Sequence, residues 1–441
     1  MAQLAEVFGI SSNVDSPSYV DRGGLDEKFR KSLASDRHVA VHGGSKQGKS
    51  WLRTRGLKPA DSIVVQCTPS STTASLFREA LGRLGVQATL SVSKSRELTG
   101  TLNFSGAVDL GKLLAKLRAE GNLGGAFSSA KSTEYQPIGK TEADLLWVAQ
   151  TFAASNKTLV LEDFHYLDEK VQKDFAFLIK ALGEYGATVV IIGVWPKDHM
   201  LTYYNGDLDG RVDDIHLSWT DDELTEVLTR GAAALNLKFT DELIAALVGE
   251  AYGSVGLIQR LAEQLCMSEG IHQSVFGRPR VISKGESFDV ATSQVAQQMQ
   301  GRFQSFADNF VRGMRRLNEG LEVYRHLLQE ATVADDGELI NGLDSAVLLR
   351  RIGEHPSGAG IRQSDLTQAL IRIDRLQVRI NVNPLVLTYG RSSRALYLAD
   401  RSFLFYRKHG DPHWPWSDED SGEITNDLAE KDPLALDDVE P

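Results

Sequence analysis

Apolar residues along the first half of the chain fall alternately into short β-branched runs and into segments with a helical repeat. Five runs are predicted as strands: His38–His42, Ser62–Cys67, Thr158–Leu161, Thr188–Val194 and Ile215–Leu217. The segments between them repeat apolar residues every three or four positions, as at Leu25, Phe29 and Leu33, which predicts helices. Strands that alternate with helices at this spacing predict an α/β fold with a parallel sheet sandwiched by helices.

From Thr220 onward the pattern is helical. Polar N-caps begin three predicted helices, Asp221–Leu235, Thr240–Tyr252 and Ser254–Glu269. Later helices precede a predicted hairpin with strands Pro384–Tyr389 and Arg394–Ala399, an order typical of a winged helix. The predicted domains are an α/β core over 1–218, a helical lid and linker over 219–288, a helical and winged-helix domain over 289–410, and an acidic disordered tail over 411–441.

The segment at about 86–140 interrupts the core. It is rich in Gly, Ser and Thr, with a short basic amphipathic stretch at Leu110–Glu120. We interpret it as a flexible surface insertion. A loop that contacts DNA or a neighbouring subunit is the alternative.

Composition is that of a soluble globular protein, with 42% hydrophobic and 24% charged residues among 441. No apolar run reaches the roughly 18 residues of a membrane span, and the N-terminus lacks the pattern of a secretory signal. Cys67 and Cys266 are far apart in apolar surroundings, which predicts buried free thiols in a reducing cytoplasm.

Charge is distributed unevenly along the chain. The net charge is −11, but residues 411–441 hold eleven acids and one base, a net of −10. Ser345–Gly410 holds eleven bases and four acids, a net of +7. The chain is therefore a nearly neutral body with a basic late domain and an acidic tail. Within that tail, Trp414-Pro415-Trp416 is predicted to dock on the preceding domain.

The first candidate site follows the first strand. Gly43, Gly48, Lys49 and Ser50 match G-x-x-x-x-G-K-[ST] in a strand–loop–helix setting. Glycines let backbone N–H groups form an anion cradle, and a helix N-terminus adds positive potential. The predicted ATP-binding residues here are Gly43, Gly44, Ser45, Lys46, Gln47, Gly48, Lys49, Ser50 and Trp51. A chance glycine–lysine loop is the alternative, which the strand–loop–helix setting disfavours.

A second signal is the apolar strand that ends in Glu162-Asp163. In a triphosphate site the first carboxylate would hold Mg²⁺ through water and the second would polarise the attacking water. Because Asp is more usual at the first place, the two roles are also open to exchange. Ser50, Glu162 and Asp163 are the candidate Mg²⁺ residues, and Lys49, Glu162 and Asp163 the catalytic ones. An exposed acidic loop is the alternative.

A third signal is Gly206-Asp207-Leu208-Asp209-Gly210-Arg211, between the fourth and fifth strands. An arginine here can act as a catalytic finger on the γ-phosphate of a neighbouring subunit. Arg211 as an ordinary surface arginine is the alternative.

The order of these parts over about Tyr19–Glu269 resembles the oligomerising P-loop ATPases of the AAA+ and STAND groups, especially their archaeal-ATPase and origin-recognition-like branch. Tyr19-Val20-Asp21-Arg22 resembles their opening box, which implies adenine binding by Tyr19 and Arg22. Leu161–Leu167 resembles their acidic strand end. Arg211 falls where the family keeps its finger. Two departures concern nucleotide sensing: Trp195 replaces a polar residue after the fourth strand, and the lid offers only Arg260 as a sensor arginine.

The late basic domain is a candidate DNA interface. The predicted recognition helix and wing carry Arg372, Arg375, Arg379, Arg391 and Arg394, an arrangement suited to phosphate contacts. A packing or regulatory module is the alternative. The acidic tail is a hypothetical competitor for this surface.

Together these features predict an ATP-hydrolysing oligomeric switch that uses ATP and Mg²⁺ in the cytoplasm, with DNA or a partner bound by the winged helix. The resemblance implies a prokaryotic role such as defence against phages or mobile elements, with an effector protein encoded nearby. A DNA-loading or transposition-helper ATPase and an ATP-gated transcription regulator are the alternatives.

Overall fold

A computed structural model describes residues 1–9, 16–35, 37–92, 98–104, 144–196, 199–312 and 323–417, with the backbone alone over 87–92 and 98–104. The helices are α1 Leu4–Val7, α2 Leu25–Ala34, α3 Lys49–Gly56, α4 Thr73–Arg83, α5 Leu145–Ser155, α6 Glu169–Glu184, α7 Met200–Tyr204, α8 Asp221–Ala234, α9 Asp241–Ala251, α10 Val255–Ser268, α11 Glu286–Arg312, α12 Val323–Val333, α13 Asp336–Asn341, α14 Ser345–Glu354, α15 Gln363–Arg379 and α16 Ser402–His409.

The strands are β1 His38–His42, β2 Ser62–Gln66, β3 Val86–Val92, β4 Leu98–Phe104, β5 Thr158–Glu162, β6 Val189–Ile192, β7 Val212–His216, β8 Leu237–Phe239, β9 Arg280–Ile282, β10 Leu343–Asp344, β11 Leu387–Gly390 and β12 Ala395–Leu398. Five of them form a parallel sheet in the order β2-β5-β6-β1-β7. The five predicted core strands and their parallel arrangement are confirmed.

Alternate residues of the sheet bury into two different layers. On one face, Val39 and Val41 of β1 pack with Phe29 of α2 and Leu52 of α3. On the other face, β1 turns Ala40 toward the cluster formed by α4, α5, α6 and α7. Both faces are apolar, as a parallel sheet covered by helices requires. The predicted α/β class is therefore confirmed.

The predicted lid and C-terminal domain share one apolar core. Phe303 on α11 stacks on Tyr406 of α16, with ring centroids 5.0 Å apart, and also contacts Phe403 at 5.5 Å. Residues of α8, α9 and α10 belong to the same cluster, and so do Leu4, Val7 and Phe8 near the N-terminus. The first helix therefore packs on the lid, although it precedes the α/β core in sequence.

The C-terminal unit consists of helices and a small sheet. Its three strands are antiparallel in the order β10-β12-β11, and β11 and β12 form the predicted hairpin. α15, which carries most of the predicted DNA-contacting arginines, lies directly before this hairpin. Trp414 packs on Phe403 and Tyr406, as predicted for the start of the tail.

Some elements differ from the sequence prediction. Within the predicted flexible insertion, β3 and β4 form an antiparallel hairpin, while residues 105–143 lie outside the described residues. The predicted linker contains β9, which pairs in parallel with β8. Both pairings depend on a partner strand and not on local periodicity. Cys67 and Cys266 are buried and free, as predicted. Within the described residues, none of the helices combines the length and apolar character needed to span a bilayer. Residues 418–441, most of the predicted acidic tail, lie outside the described residues.

Candidate functional site

The phosphate-loop motif forms a tight turn between β1 and α3. Gly43 has φ +134°, and a Cβ there would lie 2.4 Å from the carbonyl oxygen of Leu217. Only glycine fits such a position, because the backbone of the next segment crosses it directly. Gly48 also has a positive φ and is the N-cap of α3, so Lys49 and Ser50 begin the helix. The predicted strand–loop–helix arrangement is present.

Lys49 is folded back on its own loop. Its Nζ donates to the carbonyl oxygens of Gly44 at 2.5 Å and Gly43 at 3.3 Å. Removal from water lowers the pKa of Lys49 to about 8, although nearby Asp163 favours the charged form. The ammonium group of Lys49 is thus hydrogen-bonded to carbonyl oxygens of its own loop and has no anionic partner at hydrogen-bond distance among the described residues.

The two carboxylates after β5 have different surroundings. Glu162 is buried; Arg53 Nε donates to its Oε1 at 3.1 Å and Gln66 Nε2 to its Oε2 at 2.6 Å. Asp163 has left-handed backbone angles and lines the cavity beside Lys49. Burial and the neighbouring Glu162 raise the pKa of Asp163, and Lys49 opposes that shift. Of the two predicted acids, the structure places Asp163 against the cavity, and Glu162 binds Arg53.

The cavity beside the loop has a volume of about 290 Å³. Its outer wall contains Tyr19, whose ring stacks near Trp51 with centroids 6.2 Å apart. Arg22 donates to the carbonyl oxygen of Gln47 at 3.1 Å and lies 4.1 Å above the ring of Trp219. Burial lowers the pKa of Arg22 to about 10. These aromatic and apolar walls suit a planar base, and adenine binding by Tyr19 and Arg22 stays a prediction.

The lid approaches the loop closely. Gly256, in the first turn of α10, donates its N–H to the carbonyl oxygen of Lys46 at 3.2 Å. A Cβ on Gly256 would lie 2.8 Å from the Cβ of Lys46, so the contact requires glycine. Gln47 donates from Nε2 to the carbonyl oxygen of Gly253 at 3.2 Å. The predicted sensor Arg260 bonds Gln298 on α11 and does not line the cavity, whereas its neighbour Gln259 does.

The C-terminal unit also contacts the phosphate loop. The N–H of Ser45 donates to the carbonyl oxygen of Ala399, just after β12, at 2.7 Å. Asp400 Oδ2 forms ion pairs with Arg302 Nη2 at 2.7 Å and with Lys46 Nζ at 3.7 Å. Burial alone would raise the pKa of Asp400, but Arg302 and Lys46 hold it below its usual range. A carbonyl oxygen and a carboxylate of the C-terminal unit thus contact two residues of the phosphate-loop motif.

Arg211 lies near the N-terminal end of β1, whereas the phosphate loop follows its C-terminal end. Its carbonyl oxygen accepts the N–H of His38, at the start of β1, whereas the loop follows the end of β1. The guanidinium is half-exposed and lies 3.8 Å from Glu184. Arg211 therefore does not line the cavity beside the phosphate loop, and its role as a finger stays a prediction.

Two of the five predicted DNA-contacting arginines pair with acids of the α/β core. Arg375 pairs with Asp168 at 3.2 Å and Arg391 with Glu169 at 2.7 Å, both just beyond the acidic pair. Arg372 and Arg379 line the same cleft, and Arg394 at the hairpin turn does not. Arg372, Arg375, Arg379 and Arg394 are exposed, and Arg391 is partly buried. DNA contact through these arginines stays a prediction.

Several residues that line the cavity were not among the site residues predicted from the sequence. They include Ser18, Val20, His165, Tyr166, Val194, Trp219, Val227, Val255, Gly256, Gln259 and Pro384. His165 and Tyr166 directly follow the acidic pair, and Trp219 directly precedes the Thr220 cap, so their position beside motifs was the available signal. Gln259 directly precedes the predicted sensor Arg260. Val227 and Pro384 lie far from any motif and reach the cavity only through folding.

The cavity offers two side chains, Ser50 and Asp163, that suit Mg²⁺ bound together with a nucleotide. Ser50 begins α3 with an exposed side chain at the cavity, where its hydroxyl can ligate Mg²⁺, and Asp163 is the nearby acid. No preformed group of three or more His, Cys, Asp or Glu ligands occurs among the described residues.

No family model matches the sequence, and no curated protein matches it. Among solved structures, the Walker-type ATPase PABY2304 of Pyrococcus abyssi aligns over 91% of this chain and 99% of its own, with a TM-score of 0.54 and 13% identity. The Aeropyrum pernix ORC1 protein in complex with DNA aligns over 92% and 95%, at TM-score 0.43 and 12% identity. The Thermotoga maritima RuvB Holliday junction branch migration motor aligns over 89% of this chain and 96% of its own, with a TM-score of 0.35 and 10% identity. The first likeness shows that this chain has the fold of a P-loop ATPase.

Proposed function

We propose that this protein is an ATP-binding and ATP-hydrolysing switch whose resting state is closed by its own C-terminal unit. One observation carries the proposal: the N–H of Ser45, within a complete phosphate-loop motif, donates to Ala399 at 2.7 Å. An N–H that a loop would offer to phosphate is instead satisfied by a backbone carbonyl from the other end of the chain. ATP binding and C-terminal docking therefore compete for the same group.

In the ATP-bound state the residues would divide the work between binding and hydrolysis. The loop amides and Lys49 would hold the phosphates, and Tyr19, Arg22 and Trp219 would enclose the base. Bound Mg²⁺, held through Ser50, would supply charge neutralisation at the transferred phosphoryl group. Asp163 would accept a hydrogen bond from the attacking water. Its raised pKa, caused by burial and Glu162, brings it closer to the range useful for a general base.

Opening would follow from loss of the closed contacts. Release of Ser45 from Ala399 also removes the support that holds Asp400 beside Lys46. The ion pairs Arg375–Asp168 and Arg391–Glu169 join the same two parts of the molecule. Each pair is partly exposed and contributes about 0–1 kcal/mol, so the closed state is held by several weak contacts. Such a state can be displaced by ligand binding energy.

Once open, the C-terminal unit would expose its arginine face. We interpret this unit, with its helices and β11–β12 hairpin, as a winged helix that contacts duplex DNA or a protein partner. Arg211, which is remote from its own nucleotide cavity, would complete the site of a neighbouring subunit in a homo-oligomer. Defence against phages or mobile elements is the cellular setting we propose, testable by plating phage on cells with wild-type or Lys49→Ala protein.

A second candidate is an ATP-gated DNA-binding regulator that acts without oligomers. The ion pairs of Arg375 and Arg391 favour it, because nucleotide binding alone would then control whether the arginines are accessible. The two functions differ in ATP-dependent assembly. Light scattering with a non-hydrolysable ATP analogue, with and without duplex DNA, separates them: growth in mass supports the oligomeric switch, and DNA binding by a monomer supports the regulator.

The central test uses full-length wild type, Lys49→Ala and the matched control Lys28→Ala, an exposed lysine on α2. Lys49→Ala should lose analogue binding and hydrolysis by at least about 100-fold, because it removes the charge-assisted contact to the phosphates. The control should match wild type. Unchanged hydrolysis in Lys49→Ala would overturn the assignment of this loop as the ATP site.

A further inference from the structure

A second and larger cavity lies between the ATPase core and the C-terminal unit. Its volume is about 920 Å³, within the range of about 300–1,000 Å³ usual for small-molecule sites. The core contributes the segments after β5 and β6 together with α7, and the C-terminal unit contributes α15 and the β11–β12 turn. Nothing in the nucleotide chemistry of the first cavity uses this space.

Polar groups without hydrogen-bond partners gather around this cavity. Both ring nitrogens of His165, Nε1 of Trp195 and Oδ1 of Asp374 are shielded from solvent and have no hydrogen bond to a described residue. All three residues line the cavity, and His165 and Trp195 are only 8% and 5% exposed. Buried polar atoms in native proteins are nearly always paired, so such a cluster indicates a missing partner.

The protonation states of these groups suit hydrogen bonding to a neutral partner. Burial lowers the pKa of His165 to about 3, so its imidazole is neutral, with one donor and one acceptor nitrogen. Burial raises the pKa of Asp374 to about 7, while Thr388 and Arg391 oppose that rise. Trp195 adds a fixed N–H donor. His165, Asp374 and Trp195 thus offer both donors and acceptors, as hydrogen bonding to the edge of a heterocyclic ring requires.

Two arginines supply free positive charge at the same cavity. Arg372 and Arg379 are exposed on α15 and make no ion pair with a described residue, in contrast to Arg375 and Arg391. Tyr203, which is 60% exposed on α7, also lines the cavity and presents an aromatic face. A guanidinium pair binds phosphate oxygens, and an exposed aromatic ring stacks with a base.

We propose that this cavity is a regulatory site for a nucleoside monophosphate. Arg372 and Arg379 bind its phosphate, Tyr203 packs on its base, and His165, Trp195 and Asp374 bond the edge of the base. The site adjoins the ATP cavity. Ligand binding there does not depend on ATP hydrolysis, whereas its regulatory effect rests on the proposed ATP switch.

A small ligand fits the cavity better than duplex DNA does. The ion pairs Arg375–Asp168 and Arg391–Glu169, at 3.2 and 2.7 Å, join its two walls. A duplex would need these walls to separate before it could enter the cavity, whereas a mononucleotide is small enough to enter without breaking either pair. Bound ligand would add contacts across the two walls and favour the closed state.

The two cavities are adjacent. His165, Tyr166 and Val194 line both, and His165 is two residues beyond Asp163. A ligand that bonds His165 from the second cavity therefore contacts a residue in the wall of the first. The arrangement couples occupancy of the regulatory site to the ATP site, with a mononucleotide opposing ATP-driven opening.

The test is isothermal titration calorimetry on the full-length Lys49→Ala protein, in which the phosphate loop is disabled. The probes are AMP, GMP, pyrophosphate and adenosine. We expect saturable binding of at least one monophosphate. Adding Arg372→Ala and Arg379→Ala should weaken it at least about tenfold, because both charge-assisted contacts are lost. The matched control adds Arg278→Ala and Arg350→Ala, two exposed arginines outside the cavity, and should bind as the parent does.

Tyr203→Ala gives a second, milder test, because this exposed side chain contributes little to folding. It should weaken AMP or GMP but leave pyrophosphate affinity unchanged. Absence of monophosphate binding, or binding that the arginine pair does not affect, overturns the proposal. Equal binding of pyrophosphate and AMP overturns the base contact, and binding of duplex DNA through Arg372 and Arg379 in place of a monophosphate assigns the surface to nucleic acid. Failure here leaves the ATP assignment intact, since Lys49→Ala tests that separately.

Discussion

The N–H of Ser45 donates to the carbonyl oxygen of Ala399 at 2.7 Å, which joins a phosphate loop near the N-terminus to the end of a hairpin more than 350 residues later. Around this bond, Asp400 lies beside Lys46 and Lys49 folds back on Gly44. The loop is thus held by groups of its own chain. A nucleotide must replace those groups, so its affinity depends on how firmly the C-terminal unit is docked.

Weakening the docked state should therefore raise nucleotide affinity. We expect Arg375→Gln with Arg391→Gln to bind a non-hydrolysable ATP analogue about three- to tenfold more tightly, because two partly exposed ion pairs of about 0–1 kcal/mol each are removed from the closed state. Fluorescence titration measures the affinity. Arg278→Gln with Arg350→Gln is the control of equal charge change. Equal or weaker binding in the first variant would contradict a closed resting state.

Asp163 should be the carboxylate that serves hydrolysis. Asp163→Asn keeps the size of the side chain but removes the charge that polarises water, so the hydrolysis rate should fall about 10²-fold or more while analogue binding is retained. Steady-state ATPase assays and analogue titration measure the two quantities. A rate within about twofold of wild type would show that Asp163 is not the base.

Glu162 should matter more for stability than for chemistry. Glu162→Ala leaves Arg53 buried without its partner, so the free energy of unfolding should fall by about 3–5 kcal/mol. Glu162→Gln, which still accepts a hydrogen bond from Arg53, should lose less. Urea denaturation followed by circular dichroism measures both. If Glu162→Ala kept wild-type stability and lost only hydrolysis, Glu162 would be the metal-side acid.

Nucleotide affinity should fall at alkaline pH. Burial depresses the pKa of Lys49 to about 8 in the free protein, below its ordinary 10.5. ATP favours the charged lysine, so above pH 8 binding must take up a proton, and affinity should fall by up to about tenfold per pH unit. Unfolding has the related dependence: the unfolded lysine holds its proton up to 10.5, so this group's burial cost is present below pH 8 and is relieved between 8 and 10.5. Calorimetry in buffers of different ionisation enthalpy measures the proton uptake. A flat affinity from pH 7 to 9.5 would contradict the depressed pKa.

The contact between the lid and the loop should depend on Gly256. A Cβ there would lie 2.8 Å from the Cβ of Lys46, so Gly256→Ala should lower the free energy of unfolding by about 1–3 kcal/mol and weaken analogue binding. Gly249→Ala on α9 is the matched control, since nothing lies within 4 Å of its added Cβ; it should raise stability by about 0.5–1 kcal/mol. Thermal denaturation compares them. Equal behaviour of the two variants would mean that the lid does not need this close approach.

Much of the fold followed from local sequence. The phosphate loop was predictable for two reasons. Gly43 and Gly48 have backbone angles that favour glycine, and Lys49 and Ser50 have side chains that suit phosphate and Mg²⁺. The sheet was predictable because strands buried on both faces are continuously apolar. The caps Thr220, Thr240 and Ser254 accept the hydrogen bonds expected of them. Each of these signals lies within a few residues of the feature it predicts.

The sequence by itself determined the parallel sheet, the phosphate loop and the position of an acidic pair at the end of β5, because periodicity, glycine and apolar runs act over short distances. Tertiary structure alone decided which acid faces the cavity, since Arg53 and Gln66 engage Glu162. It also decided that Arg375 of α15 pairs with Asp168 and Arg391 of the β11–β12 turn with Glu169, because the orientation of a basic element depends on the surface it packs against. Ala399 belongs to no sequence motif and carries no charge, so the sequence gives no signal for its contact with Ser45. Its place on the loop comes only from the packing of α16 against α11 and the pairing of β12 with β10 and β11.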